Sequence, residues 1–380
     1  MNLALVLNHR CNLRCRYCYT GRKFDRAMSL DVAKKAVDFG LAHSTTGHLT
    51  LSFFGGEPLL EIEAMQAVVI YAERRAQETS HSLAFSISTN GTLLDEHRLS
   101  LLRDHAFHVQ VSIDGDGAAQ NLTRPYEDGR PSHDDVAANL RRLVAENLLE
   151  QIVAVIDPTT AAWLRDSYGY LASFGAAEIY FSPNYLGDWN DEACAHFEVA
   201  LRELGDAYLE TFRQGRLLRV DPLYGKIVSH LIQGKTSPRR CGFGAEEMAV
   251  APSGNLYPCD RMVREDDNLA MRIGHVEHGL DQARCDVIQA SRRQVDPECS
   301  ACDLRPRCMQ WCGCAQWETT HSLGRISSLF CWFERSFVAE ADRIAGILFG
   351  ERNPTFLREF YGLAPAEKPA HLAQVPATRQ

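Results

Sequence analysis

The chain has 380 residues, 45% hydrophobic and 23% charged, with a formal net charge of −9, as expected for a globular protein with one large domain and a smaller one. The acidic balance, with no run of Lys and Arg, argues against an electrostatic nucleic-acid footprint, and no apolar run approaches the roughly 20 residues a membrane span needs. The anomaly is thirteen cysteines: only ten residues precede Cys11, too few for a secretory signal, and clustered cysteines in a reducing cytoplasm bind metal more readily than they form disulfides.

From residue 2 to about 183, short apolar runs alternate with helical patterns. The expected strands are Leu3–Leu7, Leu49–Phe54, Leu83–Ser88, Val109–Ile113, Gln151–Ile156 and Glu178–Ser182, separated by helices near 30–43, 61–77, 95–104, 134–146 and 160–173. The runs read as apolar throughout, as in a parallel sheet covered on both faces. Strand–helix repeats give parallel strands joined by right-handed crossovers, and six units fall short of the eight in a closed barrel. The expected fold is therefore α/β, an open (β/α)6 TIM-like partial barrel followed by a small cysteine-rich domain. The expected division is a barrel over 1–186, a helical bridge over 187–235, a cysteine-rich domain over 236–335, and a C-terminal helix with a disordered tail over 336–380. The bridge holds one long amphipathic helix over Asp191–Gln214 and a second near Lys226–Gln233. The last helix is expected from Phe337 to about Gly350, with the Ala- and Pro-rich residues 364–380 as tail.

In such a sheet, chemistry collects at the carboxyl ends of the strands. After the first comes Cys11-Asn-Leu-Arg-Cys15-Arg-Tyr-Cys18, whose spacing lets one tight loop aim three sulfurs at one centre. Thiolates hold iron–sulfur clusters, and three of them leave one iron of a cubane free. A zinc site would want a fourth ligand, and His9 fits no usual zinc spacing. The other ends carry Gly55-Gly56-Glu57-Pro58, Thr89-Asn90-Gly91, Asp114-Gly115-Asp116-Gly117 and Ser182-Pro183-Asn184. Each alone reads as a turn; five on one rim read as a shared site.

The C-x-x-x-C-x-x-C loop with an aromatic before its third cysteine, followed by G-G-E-P, T-N-G and S-I-D-G, resembles the radical S-adenosylmethionine (radical SAM) enzymes over residues 2–183. The resemblance implies that Cys11, Cys15 and Cys18 bind a 4Fe–4S cluster whose fourth iron is chelated by S-adenosylmethionine. It places Gly55, Gly56 and Glu57 at the methionine amino group. Ser88, Asn90, Ser112 and Asp114 would meet the ribose or carboxylate, and Arg124 the carboxylate.

The later cysteines run Cys241-x(12)-Gly254-x(4)-Cys259, then Cys299-x(2)-Cys302-x(5)-Cys308-x(3)-Cys312, then Cys331. C-x-x-C repeats alone leave a pair of zinc sites open, but the whole order resembles the SPASM extension of radical SAM enzymes, which carries auxiliary 4Fe–4S clusters. The resemblance assigns Cys299, Cys302, Cys308 and Cys331 to a distal cluster and Cys241, Cys259 and Cys312 to a proximal one. That leaves the proximal set one thiolate short, with Cys314, Cys285 or an open position to complete it. Asp260, beside Cys259, resembles the carboxylate base of anaerobic sulfatase maturases; a plain ion pair with Arg261 or a neighbour is the other reading of it.

Together the two resemblances imply an enzyme that cleaves S-adenosylmethionine to a 5′-deoxyadenosyl radical and abstracts hydrogen from a residue of a ribosomal precursor peptide, forming a C–C, thioether or ether crosslink. The alternative is oxidation of Ser or Cys to formylglycine, as in the sulfatase maturases. A non-catalytic iron–sulfur electron-transfer protein is the reading of a different class. The first expectation brings with it a peptide substrate, a separate leader-binding protein, a reducing partner such as a flavodoxin or ferredoxin, and a cytoplasmic setting without nucleic acid or membrane.

Overall fold

A computed structural model describes residues 1–232 and 241–363; the expected tail over 364–380 lies outside them. Eleven strands form one sheet: β1 Asn2–Val6, β2 His48–Phe54, β3 Ser82–Thr89, β4 His108–Ser112, β5 Leu149–Ile156, β6 Glu178–Pro183, β7 Arg219–Asp221, β8 Glu247–Val250, β9 Asn255–Tyr257, β10 Gly274–His275 and β11 Gly279–Leu280, in the order β11-β10-β9-β8-β1-β2-β3-β4-β5-β6-β7. β1 to β7 run parallel, each beside the next, as the strand–helix alternation requires. The expected six strands are all present.

Two additions were not expected. The segment read as a purely helical bridge contributes β7, which extends the barrel beyond β6. On the other flank β8, from the cysteine-rich half, pairs in parallel with β1, Asn2 opposite Glu247 and Leu5 opposite Val250. The second set of cysteines is thus carried on the same sheet as the first.

Strand burial alternates instead of running apolar on both faces. Leu49, Leu51, Phe53, Ile87, Val109 and Val111 are buried under the helices, while Thr50, Ser52, Ser86, Ser88, Gln110 and Gln151 face the interior of the open barrel. Alternation marks a sheet packed on one side. The inner side is wet and polar because an open barrel has too few strands to fill its centre with layers of side chains.

The helices begin where the sequence supplies caps. Ser29 accepts from Val32 N at 3.2 Å to start Leu30–His43, Asn190 from Ala193 N at 2.9 Å to start Asp191–Arg213, and Ser327 from Phe330 N at 3.2 Å to start Ser328–Gly350. The long helix Asp191–Arg213 buries Phe197, Leu201, Leu204, Tyr208 and Phe212, the face expected from its periodicity. Phe197 packs on Phe333 and Phe337 of the last long helix. That helix begins nine residues earlier than expected, so it carries Cys331, and a short helix, Pro354–Tyr361, follows it. Among the described residues no helix is long and apolar enough to cross a membrane.

Candidate active site

The cysteine loop leaves β1 and is pinned from two sides. Arg14 N donates to Pro125 O at 2.8 Å and Arg16 N to Thr123 O at 2.9 Å, while Gly56 N and Glu57 N donate to Asn8 O and Arg10 O at 2.8 and 3.0 Å. This packing explains the glycine pair. A Cβ on Gly56 would lie 2.1 Å from Arg10 O, and one on Gly55, at φ +144°, 2.5 Å from Asn8 O, so a side chain at either place would push the loop away.

The three thiols sit in different electrostatic settings. Burial pushes Cys15 up to about 12 against the pull of Arg124, and burial with Glu57 raises Cys11. At Cys18 burial acts in the same upward direction, but Lys23, 3.0 Å away, and Thr20 outweigh it and lower the thiol. One buried and two half-buried thiols beside two cations fit a metal cluster, which displaces their protons and whose thiolate ligands such cations favour.

The loop and the ends of β2 to β6 enclose a cavity of about 360 Å3, ample for a small cofactor. Of the expected site residues, Cys11, Cys15, Cys18, Gly55, Gly56, Ser88, Asn90, Ser112, Arg124 and Asp260 line it. Arg124, only 7% exposed, is held by Asp114 at 3.2 Å and lies over the Tyr17 ring at 5.4 Å, with its Nη1 3.9 Å from Cys15 Sγ. A fixed, desolvated guanidinium at this position can bind a carboxylate in two-pronged fashion. The residues therefore fit S-adenosylmethionine and its cluster: thiols for iron, backbone free of side chains at the glycines, and polar groups on the opposite wall.

Glu57 and Asp114 are corrected by the structure: neither lines the cavity. Glu57 is 1% exposed, and its carboxylate accepts from Leu59 N at 3.0 Å, Thr89 Oγ1 at 2.8 Å and Asn90 N at 2.7 Å. It straps the glycine turn to the end of β3, turned to these three donors and away from the cavity. Asp114 accepts from Tyr17 OH, Thr123 Oγ1, Arg124 Nε and Val155 N. It acts on the cavity through Arg124 and Tyr17. Both carboxylates were read as ligand contacts because sequence shows an anion but not its partners.

Sequence reasoning missed Gln110, Gln151 and Tyr180, which face the cavity from β4, β5 and β6, and Tyr19 from the loop. Their polar side chains at alternate strand positions were the available signal, overlooked by reading the strands as apolar throughout.

Asp260 and Arg261 join the cavity from the cysteine-rich half. The Arg261–Asp260 pair expected as the plain reading does not form: Arg261 binds the 2%-exposed Glu318 at 2.8 Å and stacks on Tyr19 at 4.1 Å. Asp260 instead accepts from Tyr19 OH at 3.4 Å and from Cys259 Sγ at 3.1 Å.

The later cysteines fall into two groups. Cys299, Cys302, Cys308 and Cys331 line one small cavity, where Arg335 reaches Cys331 Sγ at 3.4 Å and Cys302 Sγ at 3.9 Å. In the second group Cys314 lies between two other thiols: its sulfur is 3.2 Å from that of Cys312, and the Cys259 thiol interacts with it. Among the described residues, the group of three or more His, Cys, Asp and Glu with ligand atoms all within 4.8 Å is His275, Glu277 and His278, not any set of cysteines.

The match to known proteins agrees with this geometry. Residues 5–159 match the family model of the radical SAM superfamily. Over that region the chain is a radical SAM enzyme, and its fold is a parallel-sheet α/β one. It is related to the anaerobic sulfatase-maturating enzymes: it is 24% identical to the serine-type enzyme of Klebsiella aerogenes, covering 80% of this chain and 76% of that one, and 23% identical to the cysteine-type enzyme of Clostridium novyi, covering 86% and 91%. An uncharacterized protein of Methanocaldococcus jannaschii is 31% identical over 47% of this chain, a match spanning 61% of its own length. The fold resembles native anSMEcpe with bound AdoMet, at a TM-score of 0.77 and 21% identity over 92% of this chain and 99% of that one. It also resembles Streptococcus suis SuiB bound to its precursor peptide SuiA, at 0.61 and 14% over 86% and 75%.

Proposed function

We propose that the chain is a maturase that oxidises a Ser or Cys side chain of a peptide or protein to formylglycine. The observation that carries this reading is Asp260, free of Arg261 and oriented by Tyr19, facing the same cavity as Cys11, Cys15 and Cys18. A carboxylate there can take the proton of a substrate hydroxyl or thiol. Likeness to sulfatase maturases over most of the chain favours this reading over the crosslinking one, for which the weaker fold likeness to SuiB is the support.

With S-adenosylmethionine and its 4Fe–4S cluster bound at Cys11, Cys15 and Cys18, the site gains the one-electron chemistry that removes a hydrogen atom from an unactivated C–H bond. The chain supplies the rest. Arg124 and Asn90 orient the cofactor's polar end, and the glycine pair lets its amino group meet backbone. A substrate Ser then loses a hydrogen atom from Cβ, a proton from Oγ to Asp260, and one further electron as the C=O bond forms. A Cys substrate gives a thioaldehyde that water converts to the aldehyde and hydrogen sulfide. The Cys299, Cys302, Cys308 and Cys331 group and the Cys241, Cys259 and Cys312 group would hold auxiliary clusters that take up that electron. The peptide substrate and an external reductant of flavodoxin or ferredoxin type are part of the same proposal.

The test is anaerobic incubation of the reconstituted protein with reductant, S-adenosylmethionine and sulfatase-derived peptides carrying Ser or Cys. Formylglycine and a crosslink both remove two hydrogens from a Ser peptide, so hydrazide trapping of the aldehyde separates them. Expected are 5′-deoxyadenosine and a trapped aldehyde, with product lowered about 100-fold or more in Asp260→Asn at unchanged iron content. A mass loss without a trappable carbonyl would move the assignment to crosslinking.

A further inference from the structure

We propose that Cys314 is the fourth protein thiolate of the proximal auxiliary cluster. The inference rests on the auxiliary-cluster reading above and goes beyond it by closing the site. Cys241, Cys259 and Cys312 supply three thiolates, which leaves the cluster one ligand short on the resemblance alone. Of the two cysteines that could complete it, Cys285 is buried on the helix Gln282–Arg293 with its sulfur 3.9 Å from Ile273 O, and it has no thiol neighbour. Cys314 is the opposite case. It is 8% exposed, its sulfur is 3.2 Å from that of Cys312, and the Cys259 thiol is near enough to interact with it.

The local fold explains how a C-x-C pair serves one centre. Cys312 is the N-cap of the helix Gly313–Thr320, in extended backbone, and Cys314 is its second helical residue. The bend between them turns both side chains to the same side, and Gly313 fits there because a Cβ would meet the Phe243 ring at 2.9 Å.

The charge setting suits a site bearing four thiolates. Arg292 is held by Phe243 O at 2.9 Å and by Cys241 O and Trp311 O at 3.3 Å, and its guanidinium faces Cys241, Cys312, Cys314 and Cys259. Its buried Nε has no hydrogen-bond partner among the described residues. Arg261 approaches Cys314 from the cavity side. Two cations so placed stabilise deprotonated ligands in a buried site. The remaining rival is Glu247, whose carboxylate accepts from the Cys241 thiol at 3.2 Å; it meets one of the three assigned ligands, whereas Cys314 meets Cys312 and interacts with Cys259 as well.

The experiment uses the full chain carrying Cys11→Ala, Cys15→Ala and Cys18→Ala together, which isolates the auxiliary sites. After anaerobic reconstitution it is expected to hold about eight irons in two 4Fe–4S clusters; an iron-free protein would sink the auxiliary-cluster reading itself. Adding Cys314→Ala is expected to cut iron to about half, or to convert one cluster to a three-iron form with its own EPR signal, while the distal signal persists. Cys314→Ser is expected to regain iron with a shifted signal, and Cys285→Ala and Glu247→Gln to match the parent. Parent-level iron and unchanged EPR in Cys314→Ala, or zinc in place of iron, would overturn the proposal. So would a crystal structure of the reconstituted protein with the Cys314 sulfur beyond bonding distance of iron, which decides the matter even if the variants fail to fold.

Discussion

Replacing Glu57 by Gln tests whether this buried carboxylate is a strap and not a ligand contact. Its two oxygens accept from Leu59 N, Thr89 Oγ1 and Asn90 N, so every neighbour is a donor. A Gln amide keeps one oxygen, and with it the Leu59 and Thr89 bonds, but sets its NH2 against the Asn90 N–H. One bond to a charged acceptor is lost, about 1.5–3 kcal/mol, and a buried N–H is left unpaired, about 1–3 kcal/mol. The neutral amide is cheaper to bury, which offsets part of this, so a net loss of about 3 kcal/mol is expected. Burial, only partly countered by these hydrogen bonds, raises the Glu57 carboxyl above its ordinary value. The folded protein thus binds this proton more tightly than the unfolded chain, and that contribution is fully present below the unfolded value and is lost as pH rises through the folded one. The stability gap between parent and Glu57→Gln should therefore widen as the solution is acidified. Urea denaturation of the cluster-free proteins at several pH values measures it. A gap under about 0.5 kcal/mol refutes the strap. Weaker S-adenosylmethionine binding at unchanged stability would restore Glu57 as a ligand contact.

Three further predictions test other parts of the architecture. Gly56→Ala places a methyl 2.1 Å from Arg10 O and is expected to abolish iron uptake at Cys11, Cys15 and Cys18 while the auxiliary iron remains; full iron content would show that the turn can yield. Arg124→Lys keeps a charge but loses the planar fork held by Asp114, so S-adenosylmethionine affinity measured by calorimetry should fall about 10- to 100-fold; parent-like affinity would detach Arg124 from the cofactor. Lys226 and Glu334 form a pair at 2.6 Å, with side chains 4% and 5% exposed, and Glu334 also accepts from Met309 N beside Cys308. Lys226→Met leaves that carboxylate buried and unpaired at a cost of about 3–5 kcal/mol, measured by denaturation, and a loss under about 1 kcal/mol would mean that the pair is well solvated.

Local pattern made much of this protein legible. Strand–helix alternation is written in runs such as Leu49–Phe54 and in caps such as Ser29 and Asn190, because both depend on neighbours a few residues away. Cys11, Cys15 and Cys18 were readable for the same reason: their spacing alone brings them to one loop. The Asp116 cap starts an extra helix, Gly117–Thr123, where the sequence shows only the turn-like Asp114-Gly115-Asp116-Gly117, because capping residues and turn residues are the same small polar ones.

What the residues could not disclose were the partners of buried charges and the meeting of distant segments. Glu57 and Asp114 look like cofactor ligands until the structure shows their oxygens occupied by Asn90, Thr89, Thr123 and Arg124. Asp260 looks paired with Arg261 until Glu318, 57 residues away, takes the guanidinium. The sequence by itself determined the parallel sheet, the cysteine loop and the rim that carries the chemistry. Only the tertiary structure decided that β8 docks on β1, bringing Asp260 into the first cavity, and that Cys314 joins Cys259 and Cys312. Sheet pairing and thiol convergence are contacts between residues far apart in the chain, set by how whole layers pack, and no local spacing records them.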